Sequence, residues 1–334
     1  MLIELLSNYG LFLLKTITVV ISILLILNFI INSKKNKHKG NLVIENINSE
    51  LLSLEENVKK SILTSSDFKK YLKLRKKGKK VIEKKLYVLD FHGNIKASEI
   101  RSLRREISAV ILSYKKGDEV LLRLENSGGT VHEHGLAASQ LKRIKNKKIP
   151  LTICVDKVAA SGGYMMACVG NKILASPFAI IGSIGVLAQV PNFNKLLQNK
   201  GIAFEQHTAG NYKRTVTMFG KNTDKDRKKL NEQLEDIHEL FKNFIKNERK
   251  SVDIEKVATG EYWYGKNALD LNLIDEIITS DEYILSAKDK FDIIRIQCKP
   301  LKTLSDKLTK LSSGITSKVL NLFIQKNYDN NIFK

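Results

Sequence analysis

Cysteine is scarce in this chain. The three residues present, Cys154, Cys168 and Cys298, are an odd number without metal-ligand spacing. That excludes a disulfide-stapled scaffold, and the apolar surroundings of Cys154 and Cys168 mark them as buried thiols. Arginine is scarce as well: of 56 basic residues only 10 are Arg, so planar forks suited to phosphate recognition are few. Acidic residues number 35, which leaves a net charge of +21, a Lys-rich excess that coding bias explains as well as an anionic partner does. Six histidines are available and none is well placed as a general base. His38 lies in a basic flank and His238 on a charged helix, while His92 and His207 sit in ordinary strand or loop contexts. His132 and His134 form an H-x-H that opens a helix, where alternate residues do not share a face. No third ligand accompanies them, so no metal site is expected.

What the chain does have begins with 334 residues, 43% of them apolar, enough for one large domain or two small ones plus an extension. "YGLFLLKTITVVISILLILNFIIN", residues 9–32, holds a single charge, Lys15, and is long enough to span a bilayer. A cleaved signal peptide fits less well, because the preceding flank is not basic and "NSKKNKHKG" is a poor cleavage site. Lys34, Lys35, Lys37 and Lys39 follow directly, so the positive-inside rule places the remainder in the cytoplasm. Residues 34–85 form a polar, helix-prone connector. It ends in "KKYLKLRKKGKKVIEKK", of which ten residues in seventeen are basic. Anionic lipid, nucleic acid and plain solvation all remain readings of that run, although no aromatic platform accompanies it.

From residue 86 the texture alternates. "KLYVLDFHG", "DEVLLRLENSGG" and "IPLTICVDK" read as buried strands, with helical spacing in "SEIRSLRREISAVILSY", "VHEHGLAASQLKRIKN" and "GGYMMACVG". This rhythm predicts a parallel α/β sheet with right-handed crossovers, and sites at the C-terminal ends of its strands. Both Gly-Gly turns, 128–129 and 162–163, fall at such ends. "ILASPFAIIGSIGVLAQV", 173–190, reads as buried core and site wall, and "IAFEQHTAG" as a further strand. A long charged helix is expected from Thr223 to Lys250, capped by Thr223. Asn272 is suited to a left-handed helix end. Beyond 301, Leu304, Leu308, Leu311, Ile315, Val319 and Leu322 mark an amphipathic tail helix, fit for a subunit or a membrane surface.

The chemical question is whether Ser161, in "AASGGYMM", is a nucleophile or only a small residue in a tight turn. A nucleophile needs a base and an oxyanion hole. With no suitable histidine the base would be a lysine, whose amine must be desolvated to act near neutral pH. Lys213, after "HTAGNY" and near Thr215 and Thr217, is one candidate among 46 lysines on residues alone.

"LENSGGTVHEHGLAASQL", "VDKVAASGGYMMACVG", "PFAIIGSIGVLAQVPNFNKLL", "HTAGNYKRT" and "ATGEYWYGKNAL" together resemble the ordered signature blocks of the signal peptide peptidase A family, and most closely its membrane-anchored SohB branch. The resemblance covers about residues 86–290. It implies a crotonase/Clp-protease-like α/β fold of repeated ββα units and a protease domain over 86–290. Before that domain come an N-terminal transmembrane helix (1–33) and the connector (34–85), and after it a strand-and-helix tail (291–334). It implies a Ser/Lys dyad, with Ser161 as nucleophile, Lys213 as general base and Ser183 orienting the lysine amine. Gly128, Gly129 and Gly162 become backbone donors to the oxyanion, without metal or cofactor. Ser127 replaces the proline usual before the glycines, which predicts a less rigid turn. Expected partners are polypeptide substrates such as signal-peptide remnants, a lipid bilayer, and further copies of the chain in a ring or dome that completes the site between protomers; nucleic acid is not expected. The implied place is a bacterial inner membrane, with the periplasmic side open beside the cytoplasmic one. An acyl-CoA enzyme of the crotonase type and a non-catalytic membrane scaffold are the competing readings.

Overall fold

The computed structural model describes residues 2–33, 41–77, 82–95 and 99–299. The chain divides into two compact units, Met1–Asn41 with Lys299–Lys334, and Leu42–Cys298. In the first, Leu2–Ser33 forms helix α1. Side chains are described for its residues 8–23, about 24 Å of helix against a hydrocarbon core of about 30 Å. Among the described residues no helix is long and apolar enough to cross a membrane. The expected tail helix beyond 301 and residues 78–81 of the basic run lie outside the described residues.

The second unit is organised by strands β1 (Asn41–Asn46), β2 (Lys85–Gly93), β3 (Glu119–Asn126), β4 (Leu151–Val155), β5 (Val158–Ala160), β6 (Lys172–Ala175), β7 (Ile180–Gly182), β8 (Tyr262–Tyr264), β9 (Glu276–Ile277) and β10 (Asp292–Lys299). The main path runs β1-β10-β2-β3-β4-β6-β9, and from β10 to β9 every pairing is parallel. Burial on both faces explains why the strands read as continuous apolar runs rather than alternating ones. Successive residues serve opposite faces: Leu86 and Val88 join Leu121, Cys154 and Leu174 on one side, Tyr87, Leu89 and Phe91 join Leu122 and Leu124 on the other. The mixed α/β class expected from the sequence is the one observed.

Helices α2 (Ile47–Ile62) and α3 (Ser65–Lys77) follow β1, so most of the predicted connector belongs to the compact unit that begins at Leu42. Ile47 is buried, and Asn48 holds the backbone around Phe291 and Ile293 through its amide. Helices α4 (Ile100–Ser113) and α5 (Val131–Asn146) are the crossovers flanking β3, and α6 (Gly162–Ala167) follows β5. Helix α7 is Asn194–Asn199, and α8 (Asp224–Glu248) is the long charged helix. Its Thr223 cap forms a reciprocal capping box with Asp226. Short helices α9 (Ile254–Val257) and α10 (Gly265–Asp270), then α11 (Ser280–Ala287), complete the unit, and Asn272 adopts φ 57° just past α10.

Two local expectations fail. The apolar segment 173–190 has its buried residues no further than Ile184, and even there Phe178 is 83% exposed; Leu187 is 76% exposed and the following residues lie on the surface. "IAFEQHTAG" forms no strand, and residues 202–210 are exposed. A strand needs a neighbour to pair with, and the described residues offer none there.

Candidate active site

The sheet forks at the end of β3. Asn126 pairs with Ala159 of β5, β5 runs parallel to β7 with Ala160 opposite Gly182, and β8 closes the branch antiparallel to β7. Three adjacent parallel strands therefore end at the same edge. Their next residues are the Ser127–Gly129 turn, Ser161 and Ser183, the last two in successive register on strands spaced about 4.8 Å apart. The Ser161 N–H donates to the Gly182 carbonyl at 2.7 Å, which ties the two turns together.

Ser161 has φ 52° and ψ −120°, and Ser183 has φ 51°. Such a conformation costs a non-glycine residue about 1–3 kcal/mol and persists only where its surroundings enforce it. For Ser161 the enforcement comes from close packing. A Cβ on Gly162 would lie 2.4 Å from the His134 ring, and one on Gly163 would lie 2.1 Å from the Asn126 carbonyl oxygen. The two glycines of the S-G-G run are thus required by close approach, and Met165 closes the first turn of α6 by donating to the Ser161 carbonyl at 3.0 Å. Ser183 is pinned from the other side, its N–H donating to the Glu261 carbonyl at 2.6 Å while the Trp263 ring packs on Gly182.

The Asn126 side chain accepts the Gly128 N–H at 2.6 Å, an Asx turn that fixes the backbone without a pyrrolidine ring. Gly128 has φ 91°, and a Cβ there would come within 2.7 Å of Ser161 Cβ. The same bond engages the Gly128 N–H within the turn. Among the described residues the N–H groups of Gly129 and Gly162 carry no hydrogen bond, so these two are the available donors.

Residue-type reasoning missed Asn126 and His134 as parts of this site. His134 is fully buried on α5, its Nδ1 2.9 Å from the Thr130 carbonyl and its Nε2 3.2 Å from Asn126 Oδ1. It wedges beneath both turns, while His132 faces outward and is exposed. The N-x-G spacing of Asn126 and Gly128 is the turn signal that was legible; nothing local distinguishes His134.

Lys213 is exposed, in a turn where its N–H donates to the Gly210 carbonyl at 3.2 Å. No hydrogen bond joins it to Ser161 or Ser183 within the chain. The surface segment that carries it, between Gly185 and Asn222, also exposes Leu187, Leu196, Ile202 and Phe204.

Comparison with known proteins bears on this arrangement. The pattern described as "Peptidase family S49" matches residues 143–293, and "Peptidase family S49 N-terminal" matches residues 4–141. The chain is 50% identical over 345 residues to "Probable protease SohB" of Buchnera aphidicola subsp. Acyrthosiphon pisum, covering 97% of this chain and 99% of that one. It is 43% identical to "Probable protease SohB" of Haemophilus influenzae, covering 98% of each. The chain therefore belongs to peptidase family S49, and it is a serine peptidase.

Proposed function

We propose that this peptidase is a membrane-anchored endopeptidase that cleaves polypeptides with a Ser161/Lys213 dyad completed between protomers. The observation that carries the reading is the convergence of β3, β5 and β7, which sets a strained Ser161 beside Ser183 and beside two glycine N–H groups that have no hydrogen-bond partner among the described residues. In this reading the crotonase-like ββα arrangement supplies the frame. Lys213, brought from an adjoining copy and desolvated there, takes the Ser161 proton as Oγ attacks the scissile carbonyl. Ser183 orients the amine, Gly129 and Gly162 donate to the oxyanion, and the lysine returns the proton to the leaving amine. Exposure of Lys213 in one chain, on a segment lined with exposed apolar residues, is what favours supply from a neighbour. The anchor is the run 9–32, which as a helix spans about 36 Å, enough for the hydrocarbon core. Lys34, Lys35, Lys37 and Lys39 favour the cytoplasmic face of an inner membrane for the catalytic unit. Signal-peptide remnants and unfolded membrane polypeptides are the proposed substrates.

The test is cleavage of an unstructured polypeptide by the purified full chain and by its Ser161→Ala and Lys213→Ala variants. Both variants lose cleavage by at least about 10³-fold if the dyad is correct; wild-type rates in either overturn it.

A further inference from the structure

Arginine is rare in this chain, yet four of its ten residues line a single groove. Arg101, Arg104 and Arg105 project from α4 at helical spacing, and Arg143 faces them from α5. The groove measures about 880 Å³, and among the described residues no Asp or Glu lines it. Arg143 is held in place, donating to Gln140 Oε1 at 2.9 Å and to Ser108 Oγ at 3.0 Å. Arg101 and Arg104 are exposed, and among the described residues neither has a carboxylate within ion-pair distance. Leu42 and Leu112 line the same groove, and Leu112 is 87% exposed, with Tyr or Trp absent from the lining.

We propose that this face of α4 and α5 docks on the head groups of anionic phospholipid, the arginine forks taking phosphate oxygens and Leu112 entering the acyl boundary. The inference rests on reading residues 9–32 as a membrane span. Charge complementarity selects the occupant. Four arginines call for an anionic occupant, and the chain's own tail is not one: beyond residue 301 it carries Lys302, Lys307, Lys310, Lys318, Lys326 and Lys334 against Asp306 and Asp329. Nucleic acid would call for aromatic stacking that the groove lacks. Covalent reach agrees: eight residues, 34–41, link Ser33 to Leu42, a span of at most about 30 Å. Docking there would hold the catalytic unit at one attitude to the bilayer.

The experiment uses the full chain in nanodiscs of phosphatidylcholine alone or with three-tenths phosphatidylglycerol. An environment-sensitive fluorophore is placed on Leu112→Cys, in a Cys298→Ser background. The expected result is a blue-shifted, brighter emission in the anionic discs, reduced in 0.5 M salt. Arg101→Gln with Arg104→Gln weakens the response roughly 25-fold, at roughly fivefold per arginine, which abolishes it over the accessible lipid range. Equal emission in both discs, or an unchanged response in the double variant, overturns the proposal. So does a shift that follows protein density in neutral discs, which would signal contact between copies, or one removed by nuclease. Release of the chain by alkaline carbonate would defeat the anchor reading instead; flotation with vesicles of the same two compositions then decides the groove, and equal flotation overturns it.

Discussion

Replacing Gly162 by Ala probes the packing that sets Ser161, the proposed nucleophile. The new methyl would sit 2.4 Å from His134 Cγ, 2.6 Å from Cδ2 and 2.7 Å from Cβ. His134 has little freedom to retreat, being fully buried with its two ring nitrogens 2.9 and 3.2 Å from oxygens on opposite sides. The conflict must therefore displace the backbone at 161–162, and overpacking of this kind costs about 1–3 kcal/mol. Ser161 Oγ and the Gly162 N–H move with that backbone. A misplacement of about 1 Å is worth about 10²-fold in rate, comparable to losing one oxyanion donor. The expectation is a urea midpoint lowered to match that stability loss, together with kcat reduced about 100-fold at nearly unchanged KM. His134→Ala opens the space the methyl needs, so the double variant should be more stable than the sum of the single changes by about 1–2 kcal/mol. A Gly162→Ala chain with wild-type midpoint and kcat would refute the reasoning, as would strict additivity with His134→Ala.

Asn126→Ala leaves the buried Gly128 N–H without an acceptor and should lower unfolding free energy by about 1–3 kcal/mol in urea titration; no loss would deny the Asx turn its role. Ser161→Gly should be more stable than Ser161→Ala by about 1 kcal/mol, because only glycine accepts φ 52° without strain. Burial raises the Glu106 carboxyl to about 7, despite the Cys298 N–H it accepts at 2.7 Å. The folded chain then keeps a proton that the unfolded chain releases between pH 4.5 and 7, so this group lowers stability as pH rises through that window. Glu106→Gln should match the wild type near pH 5 and exceed it by up to about 3 kcal/mol near pH 8; a constant difference between the two across that range would contradict the assignment.

Helix and strand periodicity made the frame legible. Val131–Asn146 coincides with the helix read from its apolar spacing, and Thr223 caps α8 because a hydroxyl three residues before Asp226 is a local signal. Gly128–Gly129 and Gly162–Gly163 follow the ends of β3 and β5, a placement that glycine turns signal locally for the same reason. The fork of the sheet was not legible, since β5 and β7 are three residues each and too short to show a period. Burial of Asn126 and His134 likewise depends on what lies across the turn rather than on neighbours in sequence. The apolar residues after Ile184 misled because hydrophobicity alone does not say whether the covering surface belongs to the same chain.

Mixing the two inactive variants tests the central claim most directly. If Ser161 and Lys213 of each site come from different copies, random co-assembly of Ser161→Ala and Lys213→Ala chains leaves about a quarter of the sites intact, and cleavage returns to about a quarter of the wild-type rate. No recovery above the separate variants, in assemblies shown to contain both chains, would contradict the shared site.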